Sequence, residues 1–328
     1  MSLHKPPPQR TVIVLAVTAF IVILFALAFG KSVQHATAGD ASVTGSSMRS
    51  FQNDADLRLI KETVGSLRDI HTGSMESEIS VAAKPLLTTL KHQLRDLIAN
   101  RLRFQKRQVS TQQLQARAIV DLSELDLIVD EEGSFYDPNE FEKGCDYGDI
   151  YSITVTRPHS DFDVIAVTTT VGICCGEDTS LYLFRYESEE WKLWLADEKN
   201  DYYSIIDGRN FFSFGLSWPD QNKDYFVVTA SVNPWCTSNW QAITYQVLRP
   251  GREPYEPRVL LSREETIYLG AGDPPYRLEV DDSAFMLKFC GHKYEDSIIR
   301  PKEGDAAEES LKELVRCRVE GDAVIIEK

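Results

Sequence analysis

YSITVTRPHSDFDVIAVTTTVGICCGEDTSLYLF (residues 151–184) and FSFGLSWPDQNKDYFVVTASVNPWCTSNWQAITY (residues 212–245) align without a gap at an offset of 61. YSITVTRP lies over FSFGLSWP, Asp163 over Asp224, VIAVTTTV over YFVVTASV and Cys175 over Cys236. With a longer turn in the second copy, WKLWLADE then pairs with PRVLLSRE. A weaker third copy runs through YRLEV (276–280), AFMLKF (284–289), LVRCRV and AVIIE. Short runs rich in Val, Ile, Thr, Tyr and Phe between Pro and Gly breaks read as strands, and a fixed period of this length marks a repeat architecture. The expected fold is mainly β, with about three repeated four-stranded antiparallel units near 149–205, 209–267 and 274–328. Three units are too few for a closed propeller of about four to eight blades. The units are therefore expected to form a propeller-like or sandwich-like domain, not a closed ring, with an open edge covered by N-terminal helices or by a second chain.

Upstream of this domain, 129–328, the period changes. Leu57, Ile60, Val64 and Leu67 recur at helical spacing from Asp54. Pro85 suits the first turn of a second helix to about Phe104, with Leu86, Leu90, Leu94 and Leu97 on one face. Ser110 is a candidate cap for a third, ending near Leu122. These two to three helices make a neck over 54–128. The second is basic: Lys84, Lys91, Arg95, Arg101, Arg103, Lys106 and Arg107 stand against Asp96 alone. A charge run of this kind reads as a solvated face, and the acidic β domain offers it partners within the chain. Residues 39–53, small and polar, read as a linker.

Ahead of the linker, TVIVLAVTAFIVILFALAFG (11–30) carries no charge and is long enough to cross a bilayer as a helix. Lys5 and Arg10 before it orient the remainder outside the cytoplasm. Residues 1–38 thus read as a signal anchor or, if cleaved near Ala38, as a signal peptide. The expectation is an extracytoplasmic protein of the cell envelope held by a single span. Removing 1–38 takes away three basic residues and no acid, which moves the net charge from −15 to −18. That balance argues against nucleic acid as a partner, since phosphate binding needs a basic surface.

Motifs for common chemistry fail on their spacing. Gly30-Lys31-Ser32 would need its first glycine at Phe25, inside the apolar span. A calcium loop from Asp137 has Glu142 where the sharp turn requires glycine. LGAGDPP (269–275) lacks the third glycine and the helix of a dinucleotide fingerprint. Neither His-Glu-x-x-His nor Gly-x-Ser-x-Gly occurs. Cys290 and His292 would be two zinc ligands where three or four are needed. No cofactor or metal is expected, and no catalytic residue stands out.

What remains is the connection after the second strand of each unit. If the copies share strand direction, ICCGEDTS and NPWCTSNW emerge at one end and display Glu177, Asp178, Trp235, Asn239 and Trp240, aromatic and hydrogen-bonding groups suited to a polar ligand. The expected function is a membrane-tethered binding or scaffolding protein for a protein or polysaccharide. Its rivals are a hydrolase with paired carboxylates, acting on a substrate such as carbohydrate, and a structural assembly subunit using an open sheet edge, for instance as a homodimer.

The six cysteines, in an oxidising compartment, favour disulfides. Antiparallel pairing of 151–157 with 164–171, opposed residue numbers summing to about 320 or 321, brings Cys145 opposite Cys175 and makes them the expected bond, Cys174 being the alternative. Such a bond stabilises by about 3 to 4 kcal/mol through loop closure. Cys317, alternating with Val315 and Val319, is expected to be a free core thiol. Non-reducing peptide mapping of exported protein should recover Cys145 joined to Cys175 or Cys174; a free Cys145 would refute the pairing.

Overall fold

The computed structural model describes residues 43–70, 78–128, 147–159, 163–173, 176–204, 207–219, 225–234, 240–269, 275–290 and 313–327. The chain divides into two units, Met1–Arg49 and Ser50–Lys328. Of the first, only 43–49 is described, where a helix begins; all three sheets belong to the second. The apolar segment 11–30 lies outside the described residues, among which no helix is long and apolar enough to cross a membrane.

Helix α1 spans Val43–Arg68, and Ile60, Val64 and Leu67 are buried as their spacing requires. It starts at Val43 rather than Asp54, within the stretch read as a linker. Ser and Thr lower helix propensity by only a few tenths of a kcal/mol each, so a helix already nucleated on its buried turns propagates through them. Helix α2 spans Ala83–Arg103 and buries Leu87, Leu90, Leu94 and Leu97. Pro85 falls in its first turn, where the missing N–H has no intrahelical partner to lose. Helix α3, Thr111–Ser123, is capped by Ser110, whose side chain accepts from the Gln113 N–H.

Strands β1 (Tyr147–Thr156), β2 (Val164–Ile173), β3 (Glu177–Glu187) and β4 (Glu190–Asp197) form the first sheet. The second contains β5 (Asn210–Leu216), β6 (Val227–Val232), β7 (Trp240–Arg249) and β8 (Arg258–Tyr268), and the third β9 (Tyr276–Val280), β10 (Ala284–Phe289), β11 (Glu313–Glu320) and β12 (Ala323–Glu327). Each is an antiparallel meander in sequence order, and among the described residues none closes into a barrel. The β1–β2 register opposes Tyr147 to Ile173, then shifts at two irregularities to Ser152 opposite Thr170. Cys145, Cys174, Cys175 and Cys236 lie outside the described residues.

The first two sheets share a detail beyond strand number. The β3–β4 ladder shifts register between Leu183 and Phe184, and the β7–β8 ladder between Val247 and Leu248. The gapless alignment needs one amendment: residues 174–176 connect β2 to β3, whereas 233–239 connect β6 to β7. Pairing thus sets Tyr182 against Val167 but Val247 against Val228. A continuous alignment conceals such an insertion because alternation repeats every two residues.

The sheets pack face to face. Odd positions of β2 (Ile165, Val167, Val171) join the helices in one core, while Val164 and Ala166 meet Leu216, Val227 and Leu248 of the second sheet. The second sheet turns Val228, Ala230, Ile243, Tyr245 and Val247 towards Phe285, Leu287 and Phe289 of the third. The helices therefore cover a sheet face rather than the open edge expected of them. A face of Ile, Val, Tyr and Phe exposes far more apolar area than an edge, and its burial is worth more. On the far side of the third sheet Arg316, Arg318 and Glu320 are exposed, with Arg318 3.0 Å from Glu320.

Cys317 is a free, buried thiol in the outer core, as expected, and burial pushes it up to about 11. In the same core the Tyr245 ring meets Phe285 edge-on, 6.2 Å between centroids. Burial, then Glu265, push the Tyr245 phenol from 10.0 up to about 12. The folded form thus holds this proton more tightly than the unfolded chain does. Its contribution is complete below pH 10 and is lost as pH rises towards 12. Urea unfolding should show stability falling over this window, less steeply in Tyr245→Phe; equal slopes would exclude Tyr245 as a source.

Candidate functional site

The connections of the first two sheets meet at one end of the domain. A Cβ added to Gly176 would lie 2.6 Å from Cβ of Pro234, so only glycine fits this close approach. The Arg209 N–H donates to the Glu177 carbonyl at 2.9 Å, and the Tyr268 N–H donates to the Cys290 carbonyl at 2.8 Å, which brings the end of β10 beside that of β8. Glu177, half-buried, donates its N–H to Asn210 Oδ1 at 2.8 Å and accepts at Oε1 from the Phe211 N–H at 3.3 Å. Trp240, also half-buried, packs its ring on Tyr268 at 4.9 Å between centroids. Trp235 and Asn239 lie outside the described residues.

Phe211 is the residue of this end that the sequence did not mark. It is 47% exposed and has a φ of 50°. The left-handed region costs a non-glycine residue on the order of 1–3 kcal/mol and persists only where the surroundings impose it. Here its carbonyl accepts from Tyr276 Oη, its N–H is held by Glu177, and the β5–β6 ladder shifts register between Asn210 and Ser213.

Asp178 requires a correction, because it is not displayed at this end. It is fully buried and faces the helices, on the same side of β3 as Tyr182 and Phe184. Its partner is Lys91 of α2, also fully buried, with Nζ 2.8 Å from Oδ2. Lys91 Nζ further donates to Tyr202 Oη at 2.5 Å and to the Lys199 carbonyl, and Tyr202 Oη donates to Asp178 Oδ2. Oδ1 of Asp178 has no hydrogen-bond partner. Burial lowers the Lys91 ammonium from its ordinary value despite the opposing pull of Asp178. Burial, then the Asp178 charge, raise the Tyr202 phenol well above its own.

Around this triad the remaining buried charges pair off. Arg209 grips Asp197 through two nitrogens at 2.8 and 3.1 Å. Arg95 Nη1 lies 3.1 Å from Glu198, which also has His92 Nε2 at 3.4 Å. Tyr182 Oη donates to the Lys91 carbonyl at 3.2 Å. The outer charges of the neck follow suit, Arg103 with Glu190 and Arg107 with Asp163. Lys91, Arg95 and Arg103 of the basic helix thus find partners in the acidic β domain, Lys91 without reaching solvent, whereas Arg101 pairs with Asp121 of α3. Among the described residues no group of His, Cys, Asp or Glu is placed to hold a metal ion. With both faces of the pair covered, the cluster acts as a clamp between neck and sheet.

A buried pair costs desolvation that its attraction roughly repays, but removing one partner strands the other and costs about 3–5 kcal/mol. Lys91→Met should therefore be less stable to denaturant than Lys91→Met combined with Asp178→Leu, by about 3 kcal/mol. A double variant no more stable than the single one would show that the Asp178 charge finds another partner.

Compared with protein families, with curated proteins and with solved structures, the chain matches none.

Proposed function

We propose that this chain is a membrane-tethered, extracytoplasmic binding or scaffolding protein without catalysis, which presents a protein or polysaccharide ligand with the loop end of its β domain. The observation that carries this reading is the placement of Phe211, Glu177 and Trp240 at one end of the stacked sheets. An exposed aromatic residue held in an unfavourable backbone conformation, with a carboxylate beside it and a second aromatic ring at the same end of the sheet, is the composition of a recognition surface. The three sheets are read as repeats of one unit, stacked like propeller blades without closing a ring. The shared register shift in the third-to-fourth strand pairing of the first two supports common descent of that unit. The neck takes the place of a further blade on the first sheet. The apolar segment 11–30 supplies the tether, and the basic residues before it set the orientation.

Two observations rank the rival readings. The buried carboxylates Asp178, Asp197 and Glu198 each hold a cation, which leaves none of them free for hydrolysis. The assembly reading draws on edge strand β12, where Ile325 and Ile326 are 38% and 37% exposed.

Full-length protein should sediment with membranes, its β domain open to protease added to spheroplasts, and should capture a ligand from envelope extract or from a polysaccharide panel. Phe211→Gly relieves the backbone strain and removes the ring. It should leave thermal stability equal or higher while capture falls, and Trp240→Ala should also reduce capture more than stability. Recovery in the soluble cytoplasmic fraction would end the tethered reading. Capture unchanged in both variants would move binding away from the loop end.

A further inference from the structure

The triad of Lys91, Asp178 and Tyr202 has a geometry that a plain ion pair does not require. Nζ of Lys91 donates to Tyr202 Oη, and Oη donates onward to Asp178 Oδ2. The same Nζ lies 2.8 Å from Oδ2 directly. An amine, a hydroxyl and a carboxyl oxygen thus close a ring of hydrogen bonds. Both reacting side chains are fully buried, and they come from elements far apart in sequence, α2 and β3. We propose that Lys91 and Asp178 condense to a side-chain amide that fastens the helical neck covalently to the first sheet.

The step balances without any added reagent. One proton passes from the ammonium to Oδ2, which converts the ion pair to a neutral amine and a neutral acid. Low polarity weakens the preference for the charged forms, since an ion far from water loses its solvation. The Nζ lone pair then attacks Cγ. As the N–C bond forms, an Nζ proton moves to Tyr202 Oη, and the Oη proton moves to Oδ2. The C–Oδ2 bond breaks and Oδ2 leaves as water, while Oδ1 stays behind as the amide oxygen. Tyr202 ends as it began, having acted as acid and base at once. No atom is oxidised or reduced.

Three features of the site favour this outcome. The reacting groups are already in contact, so the entropy of bringing them together is supplied by folding. Arg209, half-buried and held by Asp197, acts electrostatically on both Asp178 and Lys91. Its charge lowers the cost of negative charge on Oδ1 in the tetrahedral intermediate. Burial keeps bulk water, the reagent of the reverse reaction, away from the amide. In a tethered protein, pull on the neck would then pass into β3 through a covalent bond.

Peptide mapping of the full-length protein, extracted in detergent, aged, reduced and denatured, reads the bond directly. Trypsin should fail to cut after Lys91, and a branched peptide should appear that joins the α2 sequence to the peptide carrying Asp178. Its mass should be one water less than the sum of the two. Lys91→Met and Asp178→Ala supply the linear reference masses whether or not they fold. Tyr202→Phe keeps the ring in place and removes the relay, so the branched peptide should form far more slowly. Complete cleavage after Lys91 in the aged wild-type protein, with both linear peptides at full mass, would overturn the proposal and leave the triad an ion pair. Equal yields of branched peptide from wild type and Tyr202→Phe would overturn the relay.

Discussion

Strand β2 has two apolar faces, and each must find a partner before the sheet around it is stable. VIAVTTTV offers a hydrophobic or Thr side chain at every position, the pattern of a strand covered on both sides. One face is met by the second sheet, through Leu216, Val227 and Leu248. The other needs an equivalent surface, and Ile60, Val64, Leu87, Leu90 and Leu94 of the neck supply it. Burying a Leu or Val side chain is worth about 1.5–3 kcal/mol. A face of this size therefore outweighs the price of ordering two helices, and the neck belongs to the folded unit.

Apolar contact alone fixes the neck on the sheet but not its position along it, because Leu against Val tolerates sliding. The polar cluster removes that freedom. Lys91 reaches Asp178 only if α2 stands at one height and one rotation, and Arg95 with Glu198 repeats the constraint one turn later. Buried ion pairs contribute little net stability, and their best-attested use is to specify register. Arg209 with Asp197 serves the same end within the sheet, securing the start of the second meander to the last strand of the first.

Much of this was legible in the sequence, and the limits of legibility have physical causes. Strands of the third unit fall where alternation places them, from YRLEV at 276–280 to AVIIE at 323–327. Strand pairs declare themselves because alternation and turn residues are local. The clamp did not, because a lysine in a basic run resembles its solvated neighbours. Its signal was present all the same. Lys91 stands four residues after Leu87 and three before Leu94, inside the apolar stripe, and Asp178 shares parity with Tyr182 and Phe184. Read together, those two spacings place opposite charges on facing surfaces. Phe211 had no comparable signal, since its left-handed backbone follows from Glu177, Tyr276 and a register shift, all contributed by distant pairing.

The same architecture explains why recognition would sit at the loop end rather than on a sheet. Both faces of the first two sheets are occupied, and the outer face of the third carries exposed charges paired across short distances, such as Arg277 with Glu279 at 2.8 Å. Connections are the part of a packed β domain that can change without disturbing its core. Here the β6–β7 connection is longer than its counterpart while the ladders on either side keep their pairing. The stacked scaffold holds this end rigid from below, by Gly176 against Pro234 and by Tyr276 beneath Phe211. Side chains mounted on such a base lose little further freedom when a ligand arrives, which is where affinity is otherwise lost.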